Sequence, residues 1–405
     1  MQAQAVGRTP LGLYLHVPFC AHRCDYCAFY REEPRRSAIE LYLWGIRRSL
    51  EDLALTRPPD TIYWGGGTPG VLTPNDLLLI GNAIQALPFY SPPMEWTVEL
   101  APNTVRVEKL LALRGLGVNR LSMGVQSFFP KTLRRLGRRQ NPEQVFRAYD
   151  ALRHCGFGNL GLDLIFAIPD QTLTEWEEDL RAAIRLRPEH ISTYNLSLEG
   201  DAKMNRSAGP PTEAALERER DFYRLTVEFL ESAGYRQYEV SNFCLPGRES
   251  RHNLHTWRMA DWIGLGPSAS SQYDRRRYTQ YPSLRRWAQA LREGTPSFTL
   301  EKVLDERILF TDSCIFGLRL KEGIDLGLLQ RRLGPAFDAS GIGPAARAAR
   351  GEKGPRPFSP RAKPAPNTSS PSRTPLVGSM SLAPLEGFFQ TLIDAGYMCS
   401  PASSR

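Results

Sequence analysis

Short apolar or β-branched runs alternate with longer segments of helical spacing between residue 13 and about residue 243. This alternation is typical of repeated βα units, and it predicts a parallel sheet covered by helices. Six units can be distinguished, and a long helix that reaches about residue 233 closes the sixth. The predicted strands cover residues 13–17, 61–64, 96–100, 120–125, 159–165 and 190–198. An open barrel and a doubly wound sheet both fit this pattern.

Polar side chains interrupt these apolar strands near their carboxyl ends, among them Glu99, Gln126 and Asp163. In a barrel of parallel strands, functional side chains converge at that edge. Each residue alone would be interpreted as an ordinary solvated or structural side chain. Their recurrence at successive strand ends predicts a site there.

Three cysteines follow the first predicted strand, with three residues between Cys20 and Cys24 and two between Cys24 and Cys27. Three thiolates on one short loop can hold three irons of a cubane 4Fe-4S cluster and leave the fourth iron open. A zinc site completed by His16 or His22 is the main alternative. A disulfide is unfavourable in so short a loop. The other cysteines are scattered, which indicates a reduced compartment with one metal site.

The spacing Cys-x3-Cys-x2-Cys, with Tyr26 just before the third cysteine, resembles the signature of the radical S-adenosylmethionine (SAM) superfamily. Tyr14, the run from His16 to Phe19, and Phe29 are similar to one branch, the oxygen-independent coproporphyrinogen III oxidases and the related heme chaperones called HemW. The resemblance implies a 4Fe-4S cluster on Cys20, Cys24 and Cys27, with SAM on the open iron. Cleavage of that cofactor by one electron gives a 5′-deoxyadenosyl radical.

The same resemblance implies an α/β fold, a partial (β/α)6 barrel with a small, mainly helical C-terminal domain that is expected to be incomplete. We predict an N-terminal tail at 1–10, a radical SAM core at 11–240 and a C-terminal region at 241–333. Residues 334–383 are rich in Pro, Ala, Gly, Ser and Arg, a composition that predicts disorder. Residues 384–405 form a short amphipathic tail.

A run of three glycines, a threonine and a proline at residues 65–69 directly follows the second predicted strand. Consecutive glycines let a ligand approach the backbone closely. The loop is not a P-loop, because no Gly-Lys-Ser/Thr follows, and a tight turn remains the alternative. It is similar to the superfamily's motif for the SAM amino group. The resemblance implies SAM contacts from Tyr14, Tyr26, Gly66, Gly67, Thr68, Glu99, Gln126, Arg138 and Asp163.

Residues 250–257 resemble the His-Asn-x-x-Tyr-Trp stretch of the chaperone branch, with Thr256 at the tyrosine position, and a Gly-rich turn follows at 262–270. The resemblance makes His252 a candidate heme ligand through a neutral imidazole nitrogen. An equally good interpretation is a satisfied histidine that braces the barrel against its C-terminal extension. His255 is a second candidate.

Composition limits the partners. The chain carries 51 Lys and Arg against 43 Asp and Glu, a net charge of +8, but the basic residues are dispersed. We therefore predict no nucleic-acid partner, while weak peripheral contact with an anionic membrane stays open. The first ten residues have no apolar core segment and no run of about 18 apolar residues occurs, so we expect a cytoplasmic protein.

Two functions compete within the branch. Oxidases carry a further cysteine two positions after the third, where this chain has Phe29, and a longer extension before the first strand. These features favour a heme chaperone over a coproporphyrinogen III oxidase, and no catalytic residue is assigned. The resemblance implies heme, apo-hemoproteins and a low-potential electron donor of flavodoxin or ferredoxin type as partners. A purely structural cluster in an interaction module is a third possibility.

Overall fold

The computed structural model describes residues 9–88, 90–196 and 212–333. Its first part alternates strands and helices as the sequence predicts. The elements are β1 (Leu11–Val17), α1 (Arg36–Glu51), β2 (Thr61–Gly66), α2 (Pro74–Gln85), β3 (Glu95–Leu100), α3 (Val107–Gly115), β4 (Arg120–Gln126), α4 (Pro130–Arg135), α5 (Pro142–His154), β5 (Leu160–Phe166), α6 (Leu173–Arg185), β6 (His190–Asn195) and α7 (Glu213–Ser232).

The second part adds shorter strands and four further helices before the described residues end. They are β7 (Arg236–Gln237), β8 (Asn242–Cys244), α8 (Arg251–Trp257), β9 (Asp261–Leu265), β10 (Ser270–Tyr273), β11 (Arg276–Gln280), α9 (Leu284–Glu293), β12 (Phe298–Val303), α10 (Glu306–Gly317) and α11 (Leu326–Leu333). The predicted segments 334–383 and 384–405, and most of the predicted tail at 1–10, lie outside the described residues.

The first six strands pair with one another in chain order, and every pair is parallel. A doubly wound sheet requires a point where the strand order reverses. Between β1 and β6 the order runs in one direction, so the doubly wound alternative is wrong. The structure is the partial (β/α)6 barrel, with its helices outside.

Residues along the six strands alternate between two environments. Trp64 and Trp96 are fully buried in the core under the helices, with ring centroids 5.6 Å apart. Tyr63 and Glu99 have the opposite parity and face the lumen, where the Tyr63 hydroxyl donates to Glu99 Oε1 at 2.6 Å. Because side chains of a strand alternate between its faces, one sequence builds an apolar shell and a polar interior.

N-terminal capping residues define where several of the barrel helices begin. Thr73, Asn141 and Thr172 each accept a hydrogen bond from a backbone N–H of the following turn, in complete capping boxes at α2, α5 and α6. Such caps contribute about 1 kcal/mol each and define where the chain turns from loop to helix.

The region after residue 240 continues the sheet. Strand β9 pairs in parallel with β1, and β10, β11 and β12 extend that edge in antiparallel order. The sequence analysis described 262–270 as a Gly-rich turn and did not predict β9 or β10. Helices α8 to α11 form the helical part of the C-terminal region. Among the described residues, no helix is long and apolar enough to cross a bilayer.

Candidate functional site

A cavity of about 480 Å³ opens at the carboxyl ends of the barrel strands. It brings together nearly all of the residues that the sequence assigns to a cluster and to SAM. Those that line it are Cys20, Cys24, Tyr26, Cys27, Gly66, Gly67, Thr68, Glu99, Gln126, Arg138 and Asp163. The carboxyl ends of the strands, where the sequence predicts a site, therefore surround one cavity that these residues line.

The cysteine loop is irregular and anchored on both sides. Its start is held where Cys20 N donates to Glu32 O at 3.2 Å, and its middle where Asp25 N donates to Leu136 O at 3.0 Å. None of the three cysteines forms a disulfide, and all three are half-buried. Burial raises the pKa of the Cys20 thiol, while a hydrogen bond with Thr68 opposes the rise. This contact joins the cysteine loop to the glycine loop.

The geometry bears on the zinc alternative. In the part of the chain that the structure describes, no three His, Cys, Asp or Glu side chains lie together in a group that could hold one metal ion. His16 is committed elsewhere: its Nδ1 contacts the Tyr14 hydroxyl at 3.2 Å, and its Nε2 contacts Tyr30 O at 3.4 Å. Burial also lowers the pKa of His16 to about 4. His22, which lines the cavity with the cysteines, is therefore the remaining histidine of the zinc alternative.

The glycine loop lies directly on the strand that leads to the cysteines. Gly67 N donates to Val17 O at 2.8 Å and Thr68 N donates to Phe19 O at 2.9 Å. A Cβ on Gly67 would lie 2.7 Å from the Val17 oxygen, so a side chain cannot be added there without moving backbone. Gly66 has a φ of +97°, which favours glycine. These constraints come from the protein's own backbone, and they explain why glycine occupies both positions.

Two carboxylates face the cavity from inside the barrel. Burial raises the pKa of Glu99 to about 7, and the hydrogen bond from Tyr63 opposes the rise. Asp163 accepts from Ser122 Oγ at 3.1 Å. Burial raises the pKa of Asp163 as well, against opposing hydrogen bonds and nearby arginines. Both groups can accept hydrogen bonds from an ammonium group or from sugar hydroxyls.

Arg138 supplies the positive charge of the cavity. Its Nη2 donates to Gly124 O at 3.3 Å, while its Nε is shielded from solvent and has no partner. Burial would lower the pKa of Arg138, but Tyr26, Cys24 and Cys27 beside it raise the pKa overall. The guanidinium therefore lies next to the thiols with an unused donor, as a site for an anionic cluster and a ligand carboxylate requires.

Gln126 ends β4 in the left-handed region, with a φ of +69°. The backbone just after it is held by Asp179 of α6, whose carboxylate accepts from the Phe128 N–H at 2.6 Å and from Ser127 Oγ at 2.8 Å. The sequence analysis missed Asp179, because an acidic residue inside an amphipathic helix gives no signal of such a contact. It also missed Tyr63, which the alternation of β2 could have indicated.

Tyr14 does not line the cavity, unlike the other predicted contacts. Its hydroxyl contacts His16 Nδ1 at 3.2 Å and its ring centroid lies 6.2 Å from that of Tyr63. Tyr14 therefore lies beneath the glycine loop, one layer below the cavity surface.

His252 lies at the other end of the barrel from the cavity. Its Nδ1 contacts Thr61 Oγ1 at 2.9 Å, and Thr61 is the first residue of β2. Its backbone N–H donates to Glu95 Oε1 at 3.0 Å, and its ring lies 5.1 Å from that of Tyr63. Only 3% of His252 is exposed, and burial lowers its pKa to about 3. This arrangement matches the bracing interpretation and does not bring the imidazole to the predicted site.

A family model described as the radical SAM superfamily matches residues 14–183. Heme chaperone HemW of Lactococcus lactis subsp. lactis is 31% identical over 331 residues, which cover 81% of this chain and 86% of the relative. Heme chaperone HemW of Bacillus subtilis is 32% identical over 336 residues, covering 80% and 87%. Heme chaperone HemW of Escherichia coli is 36% identical over 266 residues, covering 64% and 69%.

Structure comparison agrees on the fold. The radical SAM enzyme coproporphyrinogen III oxidase (HemN) from Escherichia coli matches with a TM-score of 0.69 and 24% sequence identity. The match covers 80% of this chain and 79% of that chain. At this level of identity the likeness shows the fold, which is the partial barrel with its C-terminal extension.

Proposed function

Because the chain belongs to the HemW family within the radical SAM superfamily, we propose that it binds heme and transfers it to apo-hemoproteins. Membership of the superfamily implies a 4Fe-4S cluster and SAM as cofactors. The observation that supports the proposal most strongly is the single cavity shared by three cysteines, the glycine loop and an arginine with an unused donor.

The residues present fit both cofactors. Cys20, Cys24 and Cys27 would hold the cluster, and Arg138 beside them offsets its negative charge. The glycine loop packs against the backbone that leads to the cysteines and lines the same cavity, where it would contact SAM. Bound together, the cluster and SAM supply one-electron chemistry. The protein positions the ligands and excludes water from them.

The polar side chains of the cavity suggest a division of contacts with SAM. Glu99, when ionised, would accept hydrogen bonds from the ammonium group, and Arg138 would donate to the carboxylate. Asp163 would accept from the ribose hydroxyls, with Ser122 holding its other oxygen. Gln126 would offer an amide at the edge of the same surface.

Heme ligation is not proposed at His252. A buried imidazole bonded to Thr61 would have to leave the base of the barrel to reach an iron. The resemblance at residues 250–257 is therefore better explained by packing of α8 under the strands.

An acidic electron donor suits the surface around the cysteine loop. Arg23 in the loop and Arg134 and Arg139 next to it are exposed, and Arg139 reaches the cavity. We propose that a low-potential donor of flavodoxin or ferredoxin type docks here, because complementary charge increases association rates. Cytoplasmic localisation and weak membrane contact remain predictions.

The alternative is oxidative decarboxylation of coproporphyrinogen III, favoured by the fold match to the oxidase from Escherichia coli. Phe29 at the position of the oxidases' further cysteine argues against it. The two functions differ in their products, so one preparation tests both.

The experiment uses full-length protein prepared and reconstituted anaerobically, with Cys24→Ala as the cluster-deficient variant and Cys155→Ala as the matched control. We expect wild type and the control to carry iron and sulfide, to bind heme and to transfer it to an apo-cytochrome, and we expect Cys24→Ala to lose the cluster. Wild type that binds no heme would refute the chaperone function. Formation of protoporphyrinogen from coproporphyrinogen, SAM and a reductant would establish the oxidase instead.

A further inference from the structure

The cavity has a second wall that the SAM contacts do not use. It lies where β5 and β6 end and β8 begins, and includes Ile165, Leu196, Val240, Ser241 and Arg319. Three of these side chains are aliphatic, and the arginine is the cation of this wall. Arg319 follows α10, so this side chain reaches the cavity from the C-terminal region.

The backbone around Arg319 is fixed to the barrel. Val240 N donates to Arg319 O at 3.1 Å, and Lys321 N donates to Tyr238 O at 3.0 Å. Glu239 and Leu320 form an antiparallel bridge between these two contacts. These backbone contacts fix the position from which the Arg319 side chain extends into the cavity.

The guanidinium of Arg319 is fixed by its neighbours, but not all of its N–H donors have a partner. Its Nη2 donates to Glu239 Oε2 at 3.1 Å, and its Cζ lies 4.4 Å above the ring of Trp257. Its Nε is shielded from solvent and has no partner. A guanidinium has five N–H donors, and a buried donor without a partner costs free energy that a ligand can recover. The fully buried Glu239 balances the charge and orients the group.

An aliphatic surface beside an oriented guanidinium fits a ligand with an apolar body and a carboxylate. We propose that this wall is a carboxylate subsite in which Arg319 binds a propionate of the tetrapyrrole, while Ile165, Leu196 and Val240 contact the adjoining ring edge. The proposal rests on the proposed heme function and specifies how the cargo is recognised.

The subsite also accounts for the position of the C-terminal region. SAM and cargo would bind to different residues of one cavity, the first to residues of the barrel and the second to a residue that follows α10. Arg319 acts as a binding residue for the cargo, and it makes no contribution to the SAM contacts proposed above.

The test compares heme with heme dimethyl ester, in which both propionates are esterified. Both are titrated into full-length protein carrying its cluster and SAM. Removing Arg319 alone would leave the buried Glu239 carboxylate unpaired and could prevent folding. The main variant is therefore the double substitution Arg319→Gln with Glu239→Gln, and Arg319→Lys retains the charge. Arg236→Gln, at an exposed position of β7, is the matched control.

We expect wild type and the control to bind heme about tenfold or more tightly than its ester, the effect of one charge-assisted hydrogen bond. The double variant should bind both ligands with the affinity that wild type has for the ester, and Arg319→Lys should be intermediate. SAM affinity and cluster content should match wild type in every variant.

Each contrary result has a definite meaning. Equal affinity of wild type for heme and its ester would overturn the subsite and leave the heme function in place. Discrimination that persists in the double variant, or loss of SAM binding in it, would also overturn the assignment of Arg319. Wild type that binds neither ligand would refute the heme function and the subsite together.

Discussion

Replacing Asp179 with alanine should both destabilise the protein and weaken SAM binding. Asp179 is fully buried on α6, and its carboxylate accepts from the Phe128 N–H at 2.6 Å and from Ser127 Oγ at 2.8 and 3.1 Å. Ser127 Oγ in turn accepts from Phe129 N at 3.0 Å. These bonds hold the backbone directly after Gln126, whose φ of +69° is unfavourable for a glutamine.

The expected loss in the free energy of unfolding can be estimated from the two groups that lose their hydrogen-bond acceptor. Asp179→Ala leaves the Phe128 N–H and the Ser127 hydroxyl buried, and each such loss costs about 1–3 kcal/mol. We therefore expect the free energy of unfolding to fall by about 3 kcal/mol, the lower middle of the summed range. Asp179→Asn keeps an oxygen for Phe128, so we expect a loss of about 1 kcal/mol.

Urea denaturation of the full chain measures the stability, and equilibrium dialysis of the anaerobic, cluster-loaded protein measures SAM binding. Glu178→Ala, an exposed position on the same helix, is the matched control and should behave as wild type. We expect Asp179→Ala to bind SAM about tenfold more weakly, because the released loop no longer positions Gln126. If Asp179→Ala loses stability but binds SAM as wild type does, the loop does not position the cofactor and the reasoning is refuted.

The pH dependence gives a second check on Asp179. Burial raises its pKa to about 7, although the hydrogen bonds from Phe128 and Ser127 oppose the rise. In the unfolded chain the pKa of an aspartate is about 3.9. Between these values the folded state holds the proton and the unfolded state does not, so the stability due to this group decreases as pH rises through that window. In Asp179→Asn that part of the pH dependence should disappear.

Three further predictions concern other parts of the barrel. Gly67→Ala should lose SAM binding and cluster content because its Cβ would collide with backbone, whereas Gly158→Ala, with open space around it, should retain both in dialysis and iron–sulfide assays. SAM affinity should increase as pH rises through about 7, where Glu99 ionises, and Glu99→Gln should remove that dependence; an unchanged profile would exclude Glu99 from binding the ammonium group. His252→Ala should lower the free energy of unfolding by about 2–4 kcal/mol, because it creates a cavity and leaves the Thr61 hydroxyl unpaired. Its heme affinity should be unchanged. Weaker heme binding by a variant that remains folded would make His252 a heme ligand again.

The local parts of the site could be predicted from the sequence. The cysteine spacing and the glycine run each lie within one short loop, so their residues are neighbours in any fold that places the loops at strand ends. The polar residues Glu99 and Asp163 were found because parallel strands bring their carboxyl ends to one edge. Strand order removed the remaining ambiguity between a barrel and a doubly wound sheet.

The position of His252 could not be read from the sequence, because it depends on a strand that was not predicted. Helix α8 directly precedes β9, and β9 runs parallel to β1. A helix that leads into such a strand must end near the start of β1, which is the edge opposite the cysteines. Arg319 and Asp179 were missed for a related reason: each reaches the cavity or its supporting loop from an element distant in sequence.

Buried polar side chains in the interior of the barrel fix a helix to one end of it. At the starts of the strands, Glu95 accepts from the backbone N–H groups of Arg251 and His252 at 2.9 and 3.0 Å, so a carboxylate fixes the first turn of α8. Arg120 lies buried beside it, with Nε unpartnered. Replacing such buried charges by apolar residues is often neutral or stabilising, so stability alone does not account for them. They fix α8 at the starts of the strands, while the cavity opens at the carboxyl ends of the same strands.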